Sequence, residues 1–250
     1  MLILLPPSET KREGGDPEPL DVARLRFPAL NSTRRRLLRE LRALSKDPDA
    51  SLRALKLSSR QLAEVARNRS VTRSPTLPAI DRYTGVVFDA LDAQTLPASA
   101  RQFAAEHLVI QSALLGPIGA LDRIPAYRLS HDSRLPGVHL AKTWAPLVPR
   151  EIGAAGELVL DLRSEGYVGL SPVADRPNSW FLRVVTETAD GEVRALNHFN
   201  KKAKGQLVRA LLLNGENLSS ADELIETAAR IGFRIEHGSP GELRLITELR

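Results

Sequence analysis

The sequence predicts a mixed α/β fold, in which a mixed sheet is flanked by helices. Three observations predict it. Short apolar runs of strand character stand at both ends of the chain, leucine-striped helical patterns fill its early part, and hairpin signals crowd its last third. Late hairpins favour a mixed sheet over an all-parallel one.

Taken in order, Met1–Leu5 reads as a short buried strand ended by Pro6 and Pro7, and Ser8–Pro19 as a polar loop. Asn31 or Ser32 caps a helix to about Lys46, with Leu37, Leu38, Leu41 and Leu44 on one face. A second helix is expected over Asp49–Asn68, with Leu52, Leu55, Leu62 and Val65 as its stripe. Together they make a basic helical hairpin whose leucines need a packing partner. Further helices are expected over Pro78–Leu91 and Ala98–Glu106, then a buried strand over His107–Gln111 and a Gly-rich turn through Gly116 and Gly119. Residues 120–141 read as irregular. Glu157–Leu162 and Trp180–Thr186 read as strands, and Ala189-Asp190-Gly191 as a hairpin turn into Val193–Asn197. An amphipathic helix over Lys201–Leu213 ends at Asn214-Gly215, and Ser220 caps a last helix to Arg230. A terminal hairpin pairs Phe233–Glu236 with Glu242–Thr247. The chain is expected to form a single domain over 1–250, with a subdomain seam at most near residue 150, because the first strand needs the later ones as neighbours.

Composition excludes several chemistries. Cysteine is absent, which removes disulfides, thiolate metal sites, iron–sulfur clusters and a cysteine nucleophile. His107, His131, His139, His198 and His237 show no metal-ligand spacing, so no metal and no cofactor is expected. Neither GxGxxG, GxxxxGK[ST] nor GxSxG occurs, which argues against dinucleotide, P-loop and α/β-hydrolase sites. No apolar run approaches the roughly 18 residues of a membrane span, and the cytoplasm is the expected location.

The net charge of +5 conceals an asymmetry. Between Arg24 and Arg73 there are 14 Lys/Arg against 4 Asp/Glu, so the rest of the chain is net acidic. Charge gathered in this way is the footprint of a phosphate-binding surface, or of a solvated helical face in an arginine-rich proteome. Arg35 and Arg39, on the Arg34–Arg42 part of its first helix, are candidate phosphate contacts. Aromatic residues are only 4% of the chain, which favours duplex backbone contact over base stacking.

Three motifs carry candidate chemistry. Asn197-His-Phe-Asn-Lys-Lys-Ala-Lys-Gly205 opens a predicted helix, where backbone N–H groups favour an anion. Its lysines oppose the helix dipole, which makes sense with a phosphate among them; plain solvated surface is the other reading. Ser133-Arg-Leu-Pro-Gly-Val-His-Leu-Ala141, followed by Lys142, resembles the hairpin of helix-hairpin-helix DNA binders. There a glycine such as Gly137 lets the backbone approach a phosphate. Leu-Pro-Gly is also a common loop tripeptide. Asp161-Leu-Arg-Ser-Glu165 with Tyr167 ends a strand, where α/β sheets often bind ligands. Ser164, Glu165 and Tyr167 are its candidate catalytic residues, against the alternative of a strand-end cap with Arg163 paired to an acid.

Five segments, in order, resemble landmarks of the YaaA peroxide-stress family. They are Met1-Leu-Ile-Leu-Leu-Pro-Pro-Ser-Glu9, Gly85-Val-Val-Phe88, Ser112–Asp122 through Pro125-Ala-Tyr-Arg-Leu129, Leu162-Arg-Ser-Glu-Gly-Tyr167 and Phe199-Asn-Lys-Lys-Ala-Lys-Gly205. The resemblance implies a cytosolic protein tied to survival of hydrogen peroxide, with double-stranded DNA binding, a helix-hairpin-helix-like element and a link to lowering free iron. By position it carries over Arg128, Lys201, Lys202, Lys204 and Gly205. The chain departs from the family pattern at Gly166, Ser130 and Val86, where acids are usual. Those departures weaken a carboxylate-based catalytic scheme more than DNA binding, and no ligand set for iron is visible.

The leading expectation is therefore a non-enzymatic binder of duplex DNA that contacts backbone phosphates without reading sequence. The alternative is an enzyme acting on a nucleotide or damaged nucleic acid around Ser164, Glu165 and Tyr167. A third reading is a structural or small-ligand protein with an incidental basic face.

Overall fold

The structure is a computed structural model and describes residues 1–153, 156–174, 176–187, 193–195 and 199–248. In chain order, β1 (Leu2–Leu5) precedes helices α1 (Asn31–Leu44), α2 (Pro48–Leu55) and α3 (Leu62–Arg69). There follow β2 (Thr76–Pro78), α4 (Ala79–Arg82), α5 (Val86–Leu91), α6 (Ala98–His107), β3 (Leu108–Ser112), β4 (Gly116–Gly119) and β5 (Arg123–Pro125). The next elements are α7 (Leu140–Trp144), α8 (Val148–Glu151), β6 (Val159–Asp161) and α9 (Glu165–Leu170). The chain closes with β7 (Ser179–Glu187), β8 (Val193–Ala195), α10 (Phe199–Asn214), α11 (Ala221–Arg230), β9 (Arg234–His237) and β10 (Glu242–Glu248).

The fold is a mixed α/β one, as the end-to-end strand pattern predicts. The main sheet runs β4-β3-β1-β6-β7-β10-β9, with β8 added on β7, and β2 pairs with β5 in a second small sheet. β1 is central and parallel to both neighbours: Ile3 faces Leu108 on one side and Leu160 on the other. β6, β7 and β10 continue the parallel set, while β4, β8 and β9 run antiparallel. Every residue of β1, β3, β4 and β6 is buried, and β1, β3 and β6 accordingly read as mainly apolar runs rather than alternating ones. Helices α5, α6 and α10 pack together, as do α1, α2 and α3.

Several elements differ from expectation, each for a local reason. The helix expected over Asp49–Asn68 is two, because Lys56 turns left-handed (φ 55°) and closes α2; Leu62 is consequently exposed rather than in the stripe. The helix expected over Pro78–Leu91 is split by Gly85 (φ 93°) into α4 and α5. The Gly116–Gly119 turn is strand β4, an edge position where the N–H that Pro117 lacks is not needed. Gly116 is at φ 68°, and the Trp144 ring fills the space a Cβ would occupy. Residues 120–141 are irregular apart from β5 and the start of α7. No helix lies between residues 126 and 139, so the Leu135-Pro136-Gly137 loop has a helix on its C-terminal side only. The turn expected at Ala189–Gly191, and Asn197 and His198, lie outside the described residues. The last helix begins as expected, with the Ser220 hydroxyl accepting from the Glu223 N–H at 3.2 Å. Among the described residues, no helix is long and apolar enough to cross a membrane.

Candidate functional site

The topology marks one place for a ligand. From β1 the chain crosses to β3 on one side, whereas from β6 it continues to β7 on the other. Ligands in α/β sheets bind where outgoing connections diverge, beyond the carboxyl ends of the strands. Here that position lies between the loop after β1, the end of β3 and the loop after β6.

Lys11 lies in the loop after β1. Its Nζ donates to the carbonyl of Ser8 at 2.8 Å and sits 4.2 Å from the centre of the Tyr127 ring and 5.1 Å from that of Tyr83. Burial, reinforced by the Arg128 guanidinium, pulls this amine down to about 7. The residue still keeps part of its surface open, next to exposed Glu9 and Thr10. Beneath it runs a chain of hydroxyls. Ser112 Oγ accepts from the N–H groups of Leu114 and Leu115 at 3.1 and 2.9 Å, and lies 2.6 Å from the Tyr127 hydroxyl, which lies 2.7 Å from that of Tyr83. With both lone pairs of Ser112 occupied, it donates to Tyr127, Tyr127 donates to Tyr83, and the last hydroxyl proton points away from Ser112. Burial pushes Tyr127 up to about 12 and Tyr83 well above its ordinary value, so both phenols stay protonated. The amine, not a phenolate, is the base of this cluster.

Arg128 closes one side. Its backbone N–H and C=O are both bonded to the Asn68 side chain, and its guanidinium pairs with Glu9 at 2.5 Å. Its Nε is buried and has no hydrogen-bond partner. On the β6 side, Arg163 and Asp161 form a buried bidentate pair at 2.9 and 2.6 Å, and Arg163 also donates to the Ser171 carbonyl. That pair fixes the loop carrying the three candidate catalytic residues. Ser164 and Glu165 are exposed, and Glu165 meets Arg183 at 3.4 Å. Tyr167 is buried edge-on to His131, 5.0 Å between ring centres, and burial raises its phenol well above its ordinary value. Gly166 lies against His131, whose ring occupies the space of a side chain there. An acid at this position would displace the ring.

The basic residues divide into surface and interior. Arg35, Arg36 and Arg39 of α1 are exposed; Arg36 donates to the Thr143 hydroxyl at 3.3 Å, which ties α1 to α7 beside exposed Lys142 and the exposed Gly137 loop. Gly137 is left-handed (φ 68°) with no atom within 4 Å of a Cβ placed on it. Arg39, Arg42, Lys46 and Arg69 line a shallow cleft of about 380 Å³ that holds no acid. Arg42 Nε is buried there without a partner. Lys201 and Lys202 are exposed at the start of α10. Lys204 and Gly205 are not surface groups. Lys204 donates to the Leu162 carbonyl at 3.1 Å, and burial pulls its amine down to about 8. Gly205 lies against the Val87 carbonyl of α5. Arg34, inside the basic run, is fully buried, with its guanidinium held by the carbonyls of Leu115, Pro117 and Phe27.

Sequence reading missed Lys11, Tyr83, Tyr127 and Ser112 as a group. The signal was present: Lys11 follows the first strand by six residues, and Tyr127 precedes Arg128. The β1–β3 pairing brings Ser112 up to the loop after β1, an antiparallel bridge joins Lys11 to Tyr83, and the β2–β5 pairing carries in the segment that leads to Tyr127. Among the described residues, no group of three or more His, Asp or Glu is placed to hold a metal ion.

The fold is that of an α/β protein with a central parallel β1, loops beyond its strand ends that gather Lys11, Ser112, Tyr127 and Arg128, and a basic helical face on α1. Residues 1–238 match the family model described as peroxide stress protein YaaA. The chain is 40% identical to a UPF0246 protein of Corynebacterium glutamicum over 241 residues, covering 94% of this chain and 95% of that one. It is 38% identical to a UPF0246 protein of Streptomyces coelicolor, covering 97% and 94%, and 30% identical to one of Caulobacter vibrioides, covering 76% and 78%. The chain belongs to the YaaA peroxide-stress family.

Proposed function

We propose that this protein binds duplex DNA through backbone phosphates, without reading sequence, as part of its peroxide-stress role. The observation that supports this best is the cluster of cations on α1 and α7. Arg35, Arg36, Arg39, Lys46 and Lys142 are exposed, and none is paired with a carboxylate among the described residues. Exposed cations with no acid partner gain most by replacing the counterions of a polyphosphate. Packing extends this face: α7 contacts α9, and the loop before α9 is tied to α10 through the Leu162–Lys204 bond. The Gly137 loop adds a left-handed backbone position with open space around it, suited to close approach. Lys201 and Lys202 supply further positive charge, whereas Arg128 is paired with Glu9 and Lys204 and Gly205 support the helix from inside.

The test is the salt dependence of binding to short duplexes of unrelated sequence, read by fluorescence anisotropy. With about five phosphates neutralised, the log–log slope is about −4.5, so raising salt from ~50 to ~200 mM weakens binding by roughly 500-fold. Arg35→Glu/Arg39→Glu lowers the slope by about two. A flat salt response, or affinities that depend on sequence rather than charge, overturns the proposal.

A further inference from the structure

The loop after β1 carries a largely buried amine, Lys11, that the DNA-binding role does not use. We propose that Lys11 is the amine of an imine-forming site that captures an aldehyde on a phosphate-bearing sugar. The geometry carries the assignment. Lys11 Nζ stands 4.2 Å from the centre of the Tyr127 ring, beyond the strand ends where the connections diverge, held only by backbone carbonyls and with no carboxylate on it. A lysine meant to stay charged would be paired with an acid. Here the two acids nearest along the chain are both taken, Glu9 by Arg128 at 2.5 Å and Glu13 by Arg67, and Glu64 is taken by Arg67 as well.

The groups facing the amine are Arg128 and Arg67, which disfavour its charge, Glu64 and Glu9, which favour it, and the two protonated tyrosines. The balance leaves a large neutral fraction near neutral pH, which nucleophilic attack on a carbonyl requires. Arg128 supplies the phosphate-binding partner: its Nε is buried with its hydrogen-bonding capacity unused, and its pairing with exposed Glu9 is a surface contact that an anion can replace. The Tyr83 hydroxyl, last in the Ser112–Tyr127–Tyr83 chain and so with its proton not used within it, is the proton donor assigned to the carbonyl oxygen.

The reaction balances without a co-reactant. The Nζ lone pair forms a bond to the aldehyde carbon, the carbonyl π pair moves to oxygen, and that oxygen takes a proton while Nζ loses one. The resulting carbinolamine expels water to leave a C=N bond. One aldehyde and one amine give one imine and one water.

Two sources share this ligand chemistry: the ring-opened sugar of an abasic site in duplex DNA, and a free sugar phosphate. Only the first rests on the DNA-binding reading. The experiment traps the imine on the full-length protein with sodium borohydride, in one arm using a duplex with a single abasic site, and in the other 2-deoxyribose 5-phosphate. Adducts are mapped by peptide mass spectrometry, and folding is checked by thermal melting. The expected result is an adduct on Lys11, formed faster as pH rises through about 7, reduced at least tenfold in Lys11→Arg and unchanged in Lys56→Arg. Trapping of the sugar phosphate but not the duplex keeps the imine site and removes the abasic source. Salt-dependent duplex binding with no adduct in either arm overturns the imine proposal and leaves DNA binding intact. Adducts spread over surface lysines, mapped on the wild type even if Lys11→Arg fails to fold, overturn it as well.

Discussion

Gly205→Ala separates a packing role from a phosphate-binding one at the most specific part of the lysine-rich motif. Gly205 sits nearly two turns into α10, where that helix packs on α5. An added methyl would meet the Val87 carbonyl oxygen well inside van der Waals contact and Ala90 Cβ at 2.8 Å. Backbone oxygen cannot rotate aside, so the two helices must separate. Overpacking of this kind costs up to about 3 kcal/mol, and alanine returns about 1 kcal/mol through its greater helix propensity. The net loss is about 2 kcal/mol, or ~4–8 °C in melting temperature for a domain of this size. Differential scanning calorimetry measures it. The matching binding assay, run at a temperature where the variant is folded, shows duplex affinity unchanged. A variant that melts like the wild type but loses duplex affinity would refute the packing argument and return Gly205 to the phosphate interface.

Three more outcomes follow from the same reasoning. Lys204 is pulled from 10.5 down to about 8 by burial, so between those values the native state binds fewer protons than the unfolded chain and stability rises with pH. Lys204→Met removes about 2–3 kcal/mol of that rise between pH 8 and 10, measured by urea unfolding at both pH values; equal slopes for variant and wild type would mean the amine is solvated. Asp161→Ala leaves the fully buried Arg163 guanidinium without its carboxylate, costing ~3–5 kcal/mol in chemical denaturation, and a cost below ~1 kcal/mol would place the pair in water. Arg34→Met strips the donors from three buried carbonyls and lowers stability by several kcal/mol, while Arg35→Met one position along stays within ~0.5 kcal/mol; circular dichroism melts of the two variants compare them.

Much of the architecture was legible because periodicity and caps are local. Leu37, Leu38, Leu41 and Leu44 of α1 are buried as their spacing demands, and Ser220 caps α11. Elements were misread where one backbone angle decided the outcome. Lys56 turning left-handed is invisible in a sequence that otherwise runs helically, and Gly85 reads as an ordinary small residue until its φ of 93° is known. The candidate site was legible in part. Charge counting finds the arginine run but cannot distinguish Arg34, turned inward onto carbonyls, from Arg35 beside it. The same holds for Lys202 and Lys204, two residues apart on α10, one in solvent and one under the sheet-end loop. Lys11, Ser112 and Tyr127 are joined by long-range pairings, β1 with β3, β2 with β5 and Lys11 with Tyr83, which no local pattern encodes.

The central position of β1 also bears on how the chain reaches its native state. Ile3 must align with Leu108 and then with Leu160, more than 150 residues downstream, before the middle of the sheet is complete. Loop closure on that scale slows folding, and at ~5–20 residues per second the ribosome takes several seconds or more to deliver the second neighbour. Until then an uninterrupted aliphatic segment is available to wrong partners, which makes nascent copies of this protein natural clients for chaperones.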